Sequence, residues 1–139
     1  MNKTKEVEGV EKALGTHVLL EFFGCDPQPL ASREVVQKTF LEAAEAAHAK
    51  IVDVFFHQFQ PYGVSGVVVI EESHFTIHTW PEHGYAAIDL FYCSPEVDAE
   101  AAIRVMTEVF RPQSVSMIEM KRGLRISTER PLTSVPRAE

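Results

Sequence analysis

Residues 71–93, EESHFTIHTWPEHGYAAIDLFYC, contain the densest set of chemically active side chains in the chain. Two β-rich runs, SHFTIHTW and YAAIDLFY, flank the turn-forming residues 81–84, a pattern that is typical of a β-hairpin. The two ends of this segment should therefore lie close together in space. Because side chains alternate along a strand, the pattern predicts one polar face and one apolar face for the first run. The polar face would carry His74, Thr76, His78 and Trp80, and the other face Phe75, Ile77 and Thr79.

The rest of the chain supplies the other elements of an α+β fold. Strands are predicted at 16–23, 51–59, 65–72 and 115–120, and helices at 32–48 and 98–110, the first with Ser32 as its N-cap. Consecutive strands with two helices predict a two-layer α/β sandwich, in which a mostly antiparallel sheet carries both helices on one face. The other face of the sheet would then need cover, which predicts a homodimer with two-fold symmetry.

Composition limits the class of protein. With 139 residues and 45% apolar residues, the chain suits one domain with its own hydrophobic core. We predict a mobile leader at residues 1–13, a single folded domain at residues 14–120 and a disordered basic tail at residues 121–139. A net charge of -7 argues against a nucleic-acid partner. Two cysteines, no signal peptide and no apolar run of membrane-spanning length predict a cytoplasmic protein with no membrane partner.

Three kinds of chemistry could use the polar groups of residues 71–93. A metal site is disfavoured, because His74 and His78 on one strand would lie about 13 Å apart at about 3.3 Å per residue. A nucleophilic pair of Cys93 and His78 would need the hairpin to bring them together, and nothing in the sequence marks an oxyanion hole. The third chemistry is attack by Ser73 on the carbonyl of Glu72. Ser73 has the wrong parity to meet His78 on a regular strand, so either Ser73 lies at a break such as a bulge or a tight bend, or the two groups do not cooperate. We expect the break.

The run ESH-x-x-IHTWPE-x-GYAA-x-D-x-F-x-C, preceded by GVSGVVVI, resembles the short prokaryotic S-adenosylmethionine decarboxylases, which are made as self-cleaving proenzymes. The resemblance covers residues 14–123. It implies that Ser73 attacks the Glu72 carbonyl in an N-to-O acyl shift, that the ester eliminates, and that the resulting dehydroalanine hydrolyses to a pyruvoyl group. This group would be the cofactor, with no metal, and its ketone would form a Schiff base with S-adenosylmethionine. The product would be the aminopropyl donor for spermidine synthesis.

The resemblance also implies roles for three further residues. Cys93 matches the acid that reprotonates the α-carbon after carbon dioxide has left. His78 and Ser65 match residues that assist self-cleavage, by proton transfer and by stabilising its intermediate. The family's dimer would place the active site at or near the subunit interface.

Substrate recognition is implied for Glu82, Phe59 and Glu72. Glu82 matches a carboxylate that binds the ribose hydroxyls, and Phe59 lies where a ring would stack on the adenine or the sulfonium. The chain departs from the family at residues 61–63, PYG in place of a common PQG, and at Tyr92, in place of a small threonine. The same chemistry on arginine or ornithine therefore stays open, although Glu82 and Phe59 favour the adenosyl substrate. An unprocessed binding subunit with the same fold is a further alternative.

Overall fold

A computed structural model describes residues 12–124 and shows an α+β fold with one six-stranded antiparallel sheet. The elements in chain order are β1 (Gly15–Phe23), α1 (Pro27–Leu30), α2 (Arg33–Ala46), β2 (Ile51–Gln58), β3 (Val64–Ile70), β4 (Ser73–Trp80), a 3-10 turn (Pro81–His83), β5 (Tyr85–Tyr92), α3 (Ala99–Phe110) and β6 (Ser114–Arg122). The predicted two-layer class is confirmed. The leader and tail predicted from the sequence lie almost entirely outside the described residues.

Local signals explain where the two long helices begin. The Ser32 side chain accepts a hydrogen bond from the Val35 N–H at 3.2 Å, and Asp98 accepts one from the Ala101 N–H at 3.1 Å, so each helix starts at a capping residue. Both helices pack on the same face of the sheet. Their apolar side chains are buried there, among them Val36, Phe40, Ala43, Ala102, Met106 and Phe110.

The sheet order is β2-β3-β4-β5-β1-β6, with every neighbouring pair antiparallel. The face that carries the helices contains the core, in which Phe75 and Ile77 are fully buried. The other face, called here the open face, carries no helix among the described residues, and His78 and Trp80 are exposed on it. The alternation predicted for β4 is therefore confirmed, and His74, Thr76 and His78 lie on the open face.

The boundaries that differ from the predictions include the ends of β3, β2 and β6. β3 ends at Ile70, because residues 71 and 72 form the tight turn that an antiparallel partner requires. β2 ends at Gln58, so Phe59 lies in the loop that follows. β6 continues to Arg122, two residues beyond the predicted end of the domain, because its backbone pairs with the start of β1 at Gly15 and Thr16.

Thr79 connects the core side of the sheet to helix α1. Its hydroxyl donates to the Leu30 carbonyl at 2.8 Å and accepts from the Val64 N–H at 2.8 Å, while the residue is only 6% exposed. Substitution by valine keeps the shape but leaves two buried backbone groups without a partner. We expect Thr79→Val to lower the free energy of unfolding by about 2–6 kcal/mol, since each such group costs about 1–3 kcal/mol.

Chemical denaturation of the uncleaved chain, carrying Ser73→Ala, measures this loss. Thr107→Val is the matched control, because the Thr107 hydroxyl donates to Ile103 in its own helix, where the carbonyl keeps its helical partner. The control should cost less than about 1 kcal/mol. Equal losses for the two variants would contradict the role assigned to Thr79.

Candidate active site

Ser73 is the first residue of β4 and directly follows the turn at residues 71 and 72. It pairs with Ile70 on β3 and with Tyr92 on β5. Its φ angle is 152°, a value that an L-residue with a side chain rarely adopts and that costs of the order of 1–3 kcal/mol. Ser73 therefore lies at the strained turn between β3 and β4, and β4 itself runs without a break from Ser73 to Trp80.

The carbonyl before Ser73 is held from the neighbouring strand. The Cys93 backbone N–H donates to the Glu72 carbonyl oxygen at 3.0 Å, and Cys93 itself is exposed immediately after β5. The hairpin thus brings its two ends together, as predicted. We call Glu72, Ser73 and Cys93 the cleavage-site cluster, after the cut that the sequence motif predicts there. The cluster combines a hydroxyl, the adjacent carbonyl and a thiol at one end of the sheet.

A second group of predicted site residues lies at the opposite end of the same strands. Ser65 on β3 pairs with His78 on β4, and the Ser65 hydroxyl lies 2.7 Å from His78 Nδ1. Glu82 lies in the 3-10 turn just beyond β4 and is exposed. Phe59 follows the end of β2, with its ring centroid 4.6 Å from that of His57. We call Ser65, His78, Glu82 and Phe59 the Ser65–His78 cluster.

The two clusters do not meet within one chain. Five residues of continuous strand separate Ser73 from His78, a distance of about 17 Å at about 3.3 Å per residue. His78 pairs with Ala87, so Cys93 lies about 20 Å from it along the sheet. The expectation that a break in β4 brings Ser73 to His78 is therefore wrong for a single chain. A Cys93–His78 nucleophilic pair is ruled out in one chain for the same reason.

The middle of the open face carries a polar network between the two clusters. His17 Nε2 lies 3.1 Å from Asp89 Oδ1, and the Thr76 hydroxyl donates to Asp89 Oδ2 at 3.3 Å. The His74 ring lies beside this network, 6.4 Å from His17 between centroids. Burial lowers the pKa of His74, and the positive charges of His17 and Arg122 lower it further against the opposing effect of Asp89. The residue after Ser73 is thus favoured as a neutral imidazole.

A cavity of about 670 Å³ lies beside the cleavage-site cluster, lined in part by Tyr92, Cys93, Thr16 and Lys121. Its volume lies within the range of small-molecule sites. Burial raises the pKa of Tyr92, and the carboxylates of Glu119 and Asp98 add to the rise. The departure from the family at Tyr92 therefore lies in the wall of this cavity.

Sequence reasoning missed Lys50, the residue before β2. Its backbone carbonyl accepts from the Glu71 N–H at 2.9 Å, and its backbone N–H donates to Glu72 Oε1 at 3.2 Å. Backbone groups carry no residue identity, so only the strand neighbours could have revealed this contact.

Across residues 12–124, no group of three or more histidine, cysteine, aspartate or glutamate residues is placed to hold a metal ion. Within the same range, no helix is long and apolar enough to cross a membrane.

Comparison with known proteins gives consistent matches over almost all of the described residues. A family model for S-adenosylmethionine decarboxylase matches residues 16–123. An S-adenosylmethionine decarboxylase proenzyme from Caldicellulosiruptor saccharolyticus is 50% identical over 112 residues, which cover 81% of this chain and 90% of the relative. The proenzyme of the same name from Thermodesulfovibrio yellowstonii is 49% identical, covering 81% of this chain and 83% of the relative. The crystal structure of adenosylmethionine decarboxylase from Aquifex aeolicus aligns with a TM-score of 0.76 and 30% identity, covering 87% of this chain and all of that one.

Proposed function

The chain belongs to the S-adenosylmethionine decarboxylase family, and on this basis we propose that it cleaves itself at Glu72–Ser73 and then decarboxylates S-adenosylmethionine. The resemblance seen in the sequence motif is confirmed. The product of the reaction is the aminopropyl donor for spermidine synthesis. The alternatives, arginine or ornithine as the substrate or an unprocessed binding subunit, are not favoured. Relatives that are 49–50% identical to this chain are named S-adenosylmethionine decarboxylase proenzymes.

The geometry around Ser73 supports it as the residue that starts self-cleavage. The φ angle of 152° strains the backbone directly beside the Glu72–Ser73 peptide bond, and Ser73 is only partly buried. The Cys93 N–H at 3.0 Å from the Glu72 oxygen can stabilise the negative charge that develops there when the hydroxyl adds. These features fit a serine that becomes a pyruvoyl group, which supplies the electron sink for loss of carbon dioxide.

The other predicted roles divide between the two ends of the sheet. Cys93 lies at the cleavage site, where a thiol can deliver a proton to the substrate's α-carbon. Both cysteines of the chain are free thiols, as suits a protein of the reducing cytoplasm. Ser65 and His78 form a hydrogen-bonded pair that can carry a proton. Glu82 and Phe59 follow the ends of β4 and β2 at the same end of the sheet, and we propose that they bind the ribose and the adenine or sulfonium.

The distance between the two clusters supports an active site that is shared between two copies of the chain. Because about 17 Å of strand divides Ser73 from His78 within one chain, the pair can assist cleavage only if it is supplied by another copy. In a two-fold dimer formed through the open faces, antiparallel sheets bring the Ser65–His78 cluster of one protomer to the cleavage-site cluster of its partner. Each dimer would contain two such composite sites.

The open face has the apolar surface that such a dimer would bury. Phe55 on β2 is 66% exposed and Ile118 on β6 is 62% exposed. Their strand registers place both side chains on the open face. Further exposed apolar side chains lie on the same face, namely Phe23, Val69, Trp80 and Met120. Several large apolar side chains exposed on one face are characteristic of an interaction site.

Co-expression of two defective chains tests the shared site. A chain with Ser73→Ala cannot be cut but keeps Ser65 and His78, whereas a chain with His78→Ala keeps its own cleavage site. If the pair acts between protomers, the His78→Ala chain should be cut when it assembles with the Ser73→Ala chain and should be cut much more slowly, or not at all, by itself. Distinct affinity tags and intact mass measurement identify which chain is cleaved.

The control pairs the His78→Ala chain with a Ser73→Ala, His78→Ala double variant, so that neither chain of the mixture has a histidine at position 78. This mixture should show no restored cleavage. Cleavage of the His78→Ala chain at the wild-type rate without any partner would show that His78 takes no part in self-cleavage and has only a structural role. Restored cleavage that failed to depend on the partner's His78 would show that the two copies do not share a site.

A further inference from the structure

We propose that the Glu72 carboxylate and the Lys50 backbone form a brace that positions the bond to be cleaved, so that Glu72 is a positioning residue for self-cleavage. The inference rests on the proposed self-cleavage at Glu72–Ser73. It assigns to the Glu72 side chain a role before the cut, distinct from the substrate-binding role expected from the sequence.

The brace ties both turn residues to one residue on a neighbouring segment. The Glu71 N–H donates to the Lys50 carbonyl at 2.9 Å, and the Lys50 N–H donates to Glu72 Oε1 at 3.2 Å. Lys50 stands immediately before β2, where the connection from helix α2 meets the sheet. The turn is therefore fixed to the α2–β2 connection by a backbone contact and by a side-chain contact, and only the second depends on the identity of residue 72.

The opposite side of the turn is fixed by β5. The Cys93 N–H donates to the Glu72 carbonyl oxygen at 3.0 Å, so the peptide group between Glu72 and Ser73 is held by contacts from both flanks of the turn. A two-residue turn without the side-chain contact could rotate this peptide group. Rotation would relax the φ angle of Ser73, which is 152°, and would move the carbonyl oxygen away from its donor.

The orientation of this carbonyl controls the first chemical step. When Ser73 Oγ bonds to the Glu72 carbonyl carbon, the π electron pair moves to the carbonyl oxygen and the hydroxyl proton passes to a base. The Cys93 N–H stabilises the resulting charge only while the oxygen points toward it. A misplacement of about 1 Å can cost about a hundredfold in rate, so loss of the brace should slow self-cleavage without removing any reacting group.

Two substitutions of nearly equal shape isolate the hydrogen bond. Glu72→Gln keeps an oxygen that can accept from the Lys50 N–H, whereas Glu72→Met fills a similar volume and cannot accept. We expect Glu72→Met to slow self-cleavage about 10- to 100-fold, and Glu72→Gln to stay within about threefold of wild type because a neutral acceptor replaces a charged one. Cell-free translation followed by intact mass measurement gives the rate of cleavage of newly made chains.

Glu71→Met is the matched control. The Glu71 side chain reaches only the Lys50 ammonium, at 4.0 Å and at the surface, and its backbone contact with Lys50 survives the substitution. This variant should cleave at the wild-type rate. Thermal unfolding of each variant combined with Ser73→Ala checks that the uncleaved fold is intact.

Three outcomes would overturn the brace. Glu72→Met could cleave as fast as wild type, Glu72→Gln could be slowed as much as Glu72→Met, or Glu71→Met could be slowed equally. A Glu72→Met enzyme that cleaves normally but has a raised KM for S-adenosylmethionine would assign the carboxylate to the substrate instead. Wild-type chains in the same translation reaction keep the two proposals apart, since their failure to cleave would count against self-cleavage itself.

Discussion

Replacing Ser73 by alanine should leave the chain at full length and without decarboxylase activity. The substitution removes the hydroxyl that begins the acyl shift, and no other nucleophile stands directly after Glu72. The fold should be unaffected, because Ser73 pairs through its backbone with Ile70 and Tyr92 and alanine keeps those contacts. Intact mass and a denaturing gel show whether the protein is one chain or two, and release of carbon dioxide from S-adenosylmethionine measures activity.

Ser94→Ala is the matched control for this variant. Ser94 also lies beside the cleavage-site cluster, one residue after Cys93, but its hydroxyl accepts from the Glu96 N–H in the next loop. The control should be cut between Glu72 and Ser73 as the wild type is. A Ser73→Ala protein that is still cut at this bond and carries a pyruvoyl group would contradict the proposed mechanism of self-cleavage.

Replacing Cys93 by alanine should separate self-cleavage from turnover. The backbone N–H of residue 93, which holds the Glu72 carbonyl at 3.0 Å, is present in both proteins, so cleavage should proceed. The thiol is proposed to reprotonate the α-carbon after carbon dioxide has left, a step that does not occur during cleavage. Loss of a general acid typically costs about 10²- to 10⁴-fold in rate, and we expect kcat to fall within that range.

Slow or misplaced protonation should also shorten the life of the enzyme. A proton delivered to the wrong atom would leave the amino group of the substrate on the enzyme and inactivate it, so Cys93→Ala should lose activity within fewer turnovers. Cys25→Ala is the control, since Cys25 is the other free thiol and is buried. A Cys93→Ala enzyme that processes, runs at the wild-type rate and keeps its activity would show that another acid donates the proton.

The central hairpin was predictable because its signals are local. The strands at 73–80 and 85–92 begin and end where the alternation and the turn residues place them. Ser32 could be identified as a helix cap because its hydroxyl bonds a backbone group only three residues away. The end of β3 was misplaced by two residues, because Glu71 and Glu72 are not typical turn residues and do not mark the turn that pairing with β4 demands.

The site was only partly predictable, and the division follows from the range of the interactions. The sequence by itself determined the hairpin, the residue types Ser73, His78 and Cys93, and their positions along the strands, because these depend on local periodicity and motif spacing. Only the tertiary structure decided that Ser65 lies beside His78, that the Cys93 and Lys50 amides hold Glu72, and that the two clusters stand at opposite ends of one sheet. Those contacts depend on which strands become neighbours and in which register, and that choice is made by burial and backbone pairing across the whole sheet.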